Sequence, residues 1–357
     1  MLRRPATPLA IVALVAGLTL ASCAGSSGSE GADATTTAAA TDEATTTTTS
    51  AADAPAVPSA GCGTSSVRSV VQEKTYLDDS DRWFLLSTPL EHDGETPIPL
   101  VLDYHGLSEG AEVHAKMSDL AAFGDDHGFV VVQPQGLGTP VRWQIGLTPD
   151  DNPDLQYTID LLDQVEAELC IDTARVYATG LSNGAFFSSV LACSLADRIA
   201  AVAPVAGAIR PDGCDPARPV PVLAFHGTAD PILLFNGGVG DRLNQVLSEG
   251  PGAATTDEAL PAADIDGPGY PANVARWAAD NGCEGDPTDE PLTDTITERT
   301  WDCPPGADVE FLIIDGGGHS WPGSAFSKQV ANMVGPTDDF DANTAIWDFF
   351  QRFSLPA

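Results

Sequence analysis

The chain has 357 residues, of which 51 are acidic and 16 are basic, so the formal net charge is −35 at pH 7. A surface this acidic repels nucleic acids and other anionic polymers, which leaves neutral small or oligomeric molecules as the expected partners. The length is sufficient for one large α/β domain with a sizeable core.

The N-terminus has the pattern of an export signal. Arg3 and Arg4 precede an apolar run, Pro8 to Leu20, that is too short to span a bilayer as a mature helix. The following Leu20-Ala21-Ser22-Cys23 is typical of a bacterial lipobox. Residues 1–23 are therefore predicted to be a lipoprotein signal that ends at a lipidated Cys23, and the alternative is a plain signal peptide cut near the same position. The preferred interpretation places the protein on the outer face of the cell membrane, with membrane contact through the lipid anchor alone.

Residues 24–60 are predicted to form a disordered tether. Thr, Ala, Ser, Gly and Asp dominate the segment, so it cannot bury enough apolar surface to offset the entropy of ordering. Its threonine runs are candidates for O-glycans, and an unmodified spacer is an equal alternative. The folded domain is then expected over residues 61–357.

The remaining chain alternates strand-like and helix-like segments, which predicts an α/β fold with a mostly parallel central sheet and helices on both faces. An antiparallel pair is expected at 67–76 and 82–87, and an amphipathic helix over Leu155 to Leu169. Segment 236–269 is expected either to cover a cleft or to be a disordered insertion. Buried parallel strands are predicted at 98–104, 129–133, 175–179, 199–205, 220–225 and 309–314.

Two pentapeptides match Gly-x-Ser-x-Gly, around Ser108 and Ser182, and each follows an apolar run. The order of strand, tight turn and helix around Ser182 predicts a nucleophile elbow, whose strained turn lifts the hydroxyl clear of the sheet. Such a serine needs an oxyanion hole from the N–H of its neighbour, Asn183, and from an earlier strand-to-helix loop, His105 to Leu107. Ser108 has no such loop upstream. Ser182 is therefore the predicted nucleophile, with an ordinary glycine-rich turn as the alternative.

An acid and then a histidine follow the serine along the chain in this kind of site. Asp230 comes just after the strand-like run 220–225, and His319 comes after the run 309–314 and three glycines that are expected to form a mobile loop. The imidazole would take the proton of the serine hydroxyl, and the carboxylate would fix the imidazole tautomer. The alternatives are that Asp230 caps a turn and that Asp315 is the acid.

The other five of the six histidines are expected to have different roles. His105 and His226 each precede a glycine at a strand end, where they are expected to hold loops by hydrogen bonds, and His105 is also a candidate substrate contact. His92, His114 and His127 lie in polar or loop contexts and are expected at the surface.

The cysteines predict disulfides rather than a metal site. Beyond Cys23 six remain, an even number in an exported chain, and six cysteines allow fifteen connectivities. Neither C-x-x-C nor H-E-x-x-H occurs, so no metal and no cofactor are predicted. Sequence proximity favours two bridges and elimination leaves the third: Cys193–Cys214, Cys283–Cys303 and Cys62–Cys170.

Six short motifs together carry a family resemblance: His105-Gly106, Gly180–Gly184, His226–Asp230, Asn281-Gly282-Cys283, Gly318–Gly323 and Ile346–Phe350. They resemble the polyhydroxybutyrate-depolymerase and feruloyl-esterase branch of the α/β-hydrolases, from about residue 62 to residue 353. The resemblance implies a serine esterase with the triad Ser182, Asp230 and His319. It also implies an oxyanion hole made by the backbone N–H groups of Asn183 and Leu107.

Two further positions bear on the substrate. Trp321 matches a family position, where it either lines the substrate cleft or packs in the core. In place of a second glycine that the family often has after the elbow, this chain has Ala185, followed by Phe186 and Phe187. These rings either narrow the acyl pocket or pack beneath the helix, and packing is favoured.

The sequence thus predicts an exported serine esterase that works through an acyl-enzyme. Feruloyl or acetyl esters and short hydroxyalkanoate esters are competing substrates, as small molecules or oligomers. Two alternatives remain open: a cell-envelope acyltransferase and a non-catalytic binding lipoprotein on the same scaffold.

Overall fold

The computed structural model describes residues 54–64, 72–78, 81–249 and 260–356. The predicted signal peptide, the lipidation site at Cys23 and most of the predicted tether lie outside these ranges. Within them, no helix has both the length and the apolar character needed to cross a membrane.

One mixed sheet organises the described residues. Its strands lie in the order β1-β2-β4-β3-β5-β6-β7-β10-β9-β8. The six central strands, from β4 to β10 in that order, are parallel, and β1 and β2 form the predicted antiparallel pair. The strands are β1 (Glu73–Tyr76), β2 (Trp83–Ser87), β3 (Ile98–Tyr104), β4 (Val130–Pro134), β5 (Ile171–Leu181), β6 (Ala201–Val205), β7 (Val222–Gly227), β8 (Glu284–Pro291), β9 (Ile296–Asp302) and β10 (Val309–Ile314).

Helices cover both faces of the sheet. They are α1 (Ala111–Ser118), α2 (Leu120–His127), α3 (Pro153–Glu168), α4 (Asn183–Ser194), α5 (Asp241–Glu249), α6 (Tyr270–Asp280), α7 (Ala325–Gln329), α8 (Ala331–Val334) and α9 (Ala342–Phe350). Successive side chains of a strand point to opposite faces, so Leu100 and Leu102 belong to the core cluster that contains residues of α3, α4 and α6, whereas Val101 belongs to the cluster that contains residues of α1 and α9. Both sides are buried, which is why the parallel strands have continuous apolar sequences. The predicted α/β-hydrolase architecture is confirmed.

The sequence-based prediction missed β8 and β9. Strand β8 is exposed along almost all of its length and contains glycine, prolines and acids, so it has neither the alternation nor the β-branched residues of a typical strand. It forms an antiparallel edge on β9, which pairs with β10. Within the predicted insertion 236–269 the structure places α5, and residues 250–259 lie outside the described part.

The start of the domain is tied to the segment around Cys170. All three predicted disulfides are present: Cys62–Cys170, Cys193–Cys214 and Cys283–Cys303. Beside the first bridge, the N–H of Ser59 donates to Ile171 O over 2.9 Å, and its Oγ donates to Leu169 O over 2.6 Å. Folded contacts therefore begin a few residues before the predicted domain start at 61.

Candidate active site

Ser182 lies in the turn between β5 and α4 with φ 59° and ψ −117°, a conformation that is strained for any residue other than glycine. The surroundings hold it there. Its N–H donates to Val205 O over 2.9 Å, and its carbonyl accepts from Phe186 N–H over 3.0 Å. This is the strand–turn–helix geometry of a nucleophile elbow, at the position that the sequence predicts.

The flanking glycines make the elbow sterically feasible. A Cβ on Gly184 would lie 1.9 Å from the carbonyl oxygen of Tyr104, and one on Gly180 would lie 2.5 Å from the same oxygen. Both distances are shorter than any non-bonded contact, so only glycine lets β5, α4 and the end of β3 approach this closely.

The loop that follows β3 lies against the elbow. A Cβ on Gly106 would be 3.5 Å from the Cβ of Ser182. In the described part of the chain, the backbone N–H groups of Leu107 and Asn183 donate to no other protein group. Both donors are therefore available to an oxygen that becomes anionic beside Ser182.

His105 holds this loop as a neutral ring. Gly136 N–H donates to its Nε2 over 2.9 Å, so Nδ1 carries the proton and donates to Gly106 O over 2.8 Å. Burial lowers the pKa of His105 to about 4, against the opposing effect of the bond to Gly106 O. Because the ring is fully buried with both nitrogens engaged, the geometry favours the loop-holding role of His105 over a substrate contact.

Asp230 is buried just beyond the end of β7. Its Oδ1 accepts the N–H groups of Ile232 and Leu233 over 2.8 and 2.9 Å. Its Oδ2 lies 2.7 Å from Nδ1 of His319 and 3.4 Å from Nε2 of His226. Burial raises the pKa of Asp230, but the attraction of His319 and the hydrogen bonds from both histidines outweigh it, so the pKa falls below its usual range. Asp230 is therefore ionised and accepts the Nδ1 proton of His319.

Two of the three glycines before His319, Gly317 and Gly318, are buried and pack tightly, which argues against the predicted mobile loop, whereas Gly316 is exposed. A Cβ on Gly318 would be 2.4 Å from Val334 O, and His319 N–H donates to that same oxygen over 2.6 Å. A Cβ on Gly227 would be 2.1 Å from Gly317 O. These glycines allow the loop to lie directly on β7 and on the α8 end.

The loop that carries His319 lies at the carboxyl end of the parallel strands, where Ser182 also lies. His319 contacts Asp230 beyond β7, and the ring of Trp321 meets the ring of His114 on α1 edge-on at 5.8 Å. Since α1 follows β3, and β5 and β6 lie between β3 and β7, we infer that segment 319–321 passes the carboxyl end of β5. Ser182 Oγ makes no hydrogen bond to His319 among the described residues, a contact that is often long until substrate binds.

The structure decides between several open alternatives. Trp321 is 1% exposed and donates from Nε1 to Asn343 over 2.9 Å, which favours the core role. Phe187 is buried against Trp143 with ring centroids 5.2 Å apart, so it packs beneath α4 as favoured. Asp315 is exposed and accepts from Thr228, away from His319, which removes it as a rival acid.

Two of the three histidines that were expected at the surface are buried. His127 is exposed as predicted, whereas His92 is 5% and His114 is 0% exposed. His114 lies between two carboxylates, with Nε2 2.6 Å from Asp103 and Nδ1 3.1 Å from Glu109. These two acids compensate for the solvation that His114 loses on burial. The surface prediction for His114 failed because neither acid is adjacent to it in the sequence.

Sequence reasoning also missed two groups that shape the site. The side chain of Asn183 accepts from Trp143 N–H over 2.7 Å and donates to Trp143 O over 3.1 Å, which ties segment 136–146 to the elbow. Glu109 binds Gly106 N–H over 2.6 Å. One signal was available, because Asp103 is an acid inside an otherwise apolar strand and therefore demands buried partners.

A cavity of about 720 Å³ lies between α3 and segment 77–82, and no triad residue lines it. Another, of about 150 Å³, lies beside Asp230, where Leu234, Phe235 and Leu260 supply its apolar wall. This smaller cavity adjoins the candidate active site because Asp230 is one of its lining residues.

The chain is similar to several known esterases. The chain is 30% identical to feruloyl esterase B of Piromyces equi over 282 residues, which cover 77% of this chain and 46% of that protein. It is 26% identical to feruloyl esterase D of Neurospora crassa over 317 residues, which cover 84% of this chain and 92% of that protein. The solved acetyl xylan esterase from Aspergillus awamori superimposes with a TM-score of 0.51 at 14% identity, covering 73% of this chain and 98% of that chain. No protein-family model matches the chain.

The fold and the elbow define an α/β-hydrolase, and the likeness to the solved structure shows that same fold. The similarity to the two feruloyl esterases narrows the class. The chain is thus similar in sequence to feruloyl esterases and has the fold of the α/β-hydrolases. It spans less than half the length of the Piromyces equi relative, with 46% covered.

Proposed function

We propose that the protein hydrolyses neutral carboxylic esters through an acyl-enzyme on Ser182. One observation carries the proposal: the buried Asp230–His319 pair lies on the same sheet edge as a serine in the strained elbow conformation. A hydroxyl is a poor nucleophile until a base accepts its proton, and a neutral imidazole that a carboxylate orients through Nδ1 supplies that base.

The reaction follows from the positions of the groups. Ser182 Oγ attacks the ester carbonyl while Nε2 of His319 accepts its proton, and Asp230 stabilises the imidazolium that forms. The N–H groups of Leu107 and Asn183 donate to the oxygen that becomes negative. His319 then protonates the departing alcohol, and water enters by the same route to release the acid and restore Ser182.

The substrate class follows from charge and from relatives. A net charge of −35 disfavours anionic polymers. The relatives are named feruloyl esterases. We therefore infer feruloyl or acetyl-type esters, or short hydroxyalkanoate esters, as small molecules or oligomers.

The location is part of the proposal. Three disulfides are typical of a protein that folds outside the reducing cytosol. Together with the N-terminal pattern, they support an exported protein that is anchored through a lipid on Cys23.

Labelling with a fluorophosphonate probe tests the chemistry. The wild-type protein should be labelled and should hydrolyse methyl ferulate or p-nitrophenyl acetate, and Ser182→Ala should do neither. Ser188→Ala is the matched control, because it removes a buried hydroxyl from α4, the helix that follows Ser182. In the wild type this hydroxyl donates to Ala185 O. A folded wild type that resists labelling would favour the non-catalytic scaffold. Products acylated on an added sugar, rather than free acid, would favour the acyltransferase.

A further inference from the structure

The peptide that carries the Leu107 donor is held on its opposite side. Gly106 O accepts from His105 Nδ1 over 2.8 Å and from Glu109 N–H over 3.2 Å. A trans peptide is planar, so its C=O and N–H point in opposite directions, and fixing Gly106 O also fixes the direction of Leu107 N–H.

The side chain of Glu109 provides a second restraint on this loop. Its Oε2 accepts Gly106 N–H over 2.6 Å, so Glu109 holds Gly106 through both the backbone and the carboxylate. The same Oε2 accepts from Nδ1 of His114 over 3.1 Å, whereas the buried Oε1 has no hydrogen-bond partner among the residues that the structure describes.

A buried network ties this carboxylate to the sheet. Nε2 of His114 lies 2.6 Å from Oδ1 of Asp103 in β3. The other oxygen of Asp103 accepts from Ser118 over 2.6 Å and from Gln133 over 2.8 Å. His114 faces a carboxylate at each nitrogen, and although burial lowers its pKa, Asp103 and Glu109 raise it to about 10. The ring is therefore an imidazolium at neutral pH.

Stability alone is a weak reason for such a cluster. Two carboxylates and an imidazolium lose solvation when they are buried, and their mutual attraction offsets that loss only in part. Apolar residues of similar volume often stabilise a folded protein equally well. The direct product of the cluster is a loop whose orientation relative to Ser182 is fixed.

We propose that Glu109 is a positioning residue for the oxyanion hole. Held by His114, and through it by Asp103, its carboxylate fixes the His105–Gly106 peptide at Gly106 N–H, while its backbone N–H binds Gly106 O. Together these bonds orient the next peptide, Gly106–Leu107, so that Leu107 N–H faces the developing oxyanion at Ser182. This role rests on the proposed esterase function.

Three substitutions of Glu109 separate position from charge. Glu109→Gln can keep its amide oxygen at the Oε2 position and place its NH2 where Oε1 has no partner, so it retains both hydrogen bonds. Glu109→Asp keeps the charge but is one methylene too short to reach Gly106 N–H and His114 together. Glu109→Met fills the space without accepting a hydrogen bond. Glu112→Met is the matched control, since Glu112 is an exposed acid on the same helix as His114.

The measurement is kcat and KM for p-nitrophenyl acetate, with the inhibition constants of a trifluoromethyl ketone and of the matching secondary alcohol. The ketone forms an oxyanion on Ser182 and the alcohol does not. Misplacing one oxyanion donor should lower kcat about tenfold to a hundredfold in the Asp and Met variants, with KM little changed. Ketone binding should weaken by a similar factor, and alcohol binding should not change. Glu109→Gln should stay within about threefold of wild type, and Glu112→Met should match it.

The order of the Asp and Gln variants decides the outcome, and both remain informative if Glu109→Met does not fold. Higher activity in Glu109→Asp than in Glu109→Gln would assign the effect to charge and overturn the positioning role. Wild-type rates in both folded variants, or equal weakening of ketone and alcohol, would also overturn it. A wild type without turnover or labelling would overturn the esterase function as well, which is a distinct result.

Discussion

Nδ1 of His319 lies 2.7 Å from Oδ2 of Asp230, although 89 residues separate them in the chain. The pair forms because β7 and β10 are neighbours in the sheet, so that the loops after them leave from the same edge. Asp230 is already anchored by two backbone N–H groups, which leaves its second oxygen for the imidazole.

Replacing this carboxylate should remove most of the activity while the fold is retained. In Asp230→Asn the amide can no longer hold the correct imidazole tautomer or stabilise the imidazolium. We expect kcat to fall by about 10⁴-fold with KM little changed. Steady-state hydrolysis of p-nitrophenyl acetate measures the effect. Asp315→Asn is the control and should retain activity, because Asp315 is exposed and bonds to Thr228. The reverse ranking of the two variants would assign the acid to Asp315.

The elbow glycine should be intolerant of even one methyl group. In Gly184→Ala the new Cβ would lie 1.9 Å from Tyr104 O. The atoms that it meets belong to the backbone at the end of β3, which cannot move away as a flexible side chain could. We expect a loss of more than about 3 kcal/mol in the free energy of unfolding, as for severe overpacking. Gly306→Ala has open space around its Cβ and a φ of +77°, so it should cost only about 1 kcal/mol. Urea unfolding compares the two, and similar losses would contradict the steric explanation.

Stability should fall on the alkaline side because of His114. Its pKa is about 10 in the folded state against 6.5 in the unfolded chain, so its contribution is complete below pH 6.5 and is lost as the pH rises towards 10. The folded state holds one proton more across that window, which gives a slope of about −1.4 kcal/mol per pH unit.

Urea unfolding of wild type and His114→Gln between pH 6.5 and 9.5 tests this slope. The variant should be less stable at pH 6.5 and its stability should vary less with pH. Parallel curves for the two proteins would show that His114 is not the group that titrates.

The acid side should report His105 with the opposite sign. The pKa of His105 is about 4 in the folded state, so between pH 6.5 and 4 the unfolded chain binds a proton that the folded protein does not. Stability should therefore fall as the pH drops through this window. In His105→Asn or His105→Gln the stability should fall less steeply between pH 6.5 and 4, as measured by urea unfolding. An unchanged fall in a folded variant would show that groups other than His105 cause it.

Short acyl chains should be the better substrates. Among the triad residues only Asp230 lines the cavity of about 150 Å³, and this prediction takes that cavity as the acyl site. Its volume is too small for a long acyl chain together with an alcohol group. Turnover of p-nitrophenyl acetate and butyrate should exceed that of octanoate. A preference for octanoate would indicate a groove that opens when substrate binds.

Local sequence patterns were sufficient for the strands that are buried on both faces. Ile98–Tyr104 and Val309–Ile314 were predicted with their observed bounds, since continuous runs of Val, Ile and Leu indicate a parallel strand. Strand β8 was missed because an exposed edge strand needs no apolar residues, and its pairing with β9 creates the structure that its own composition does not favour.

Motif spacing placed Ser182, Asp230 and His319 at the ends of strands that are separate in sequence. Motif spacing could not indicate that Gly317 and Gly318 pack tightly, because glycine occurs both where a loop is flexible and where backbones approach closely. Nor could it place His114, whose polar neighbours in sequence suggested the surface while its actual partners lie on a strand and a loop.

The sequence alone determined the class of fold, the elbow and the order of the three candidate catalytic residues, because each depends on local patterns or on chain order. It only favoured the three disulfide pairings, which the structure contains. The tertiary structure decided which acid meets His319, where Trp321 lies and which groups hold the Gly106 carbonyl and N–H. Those relationships depend on which strand ends are neighbours and on the charges that burial forces together, and neither is encoded in a short stretch of the chain.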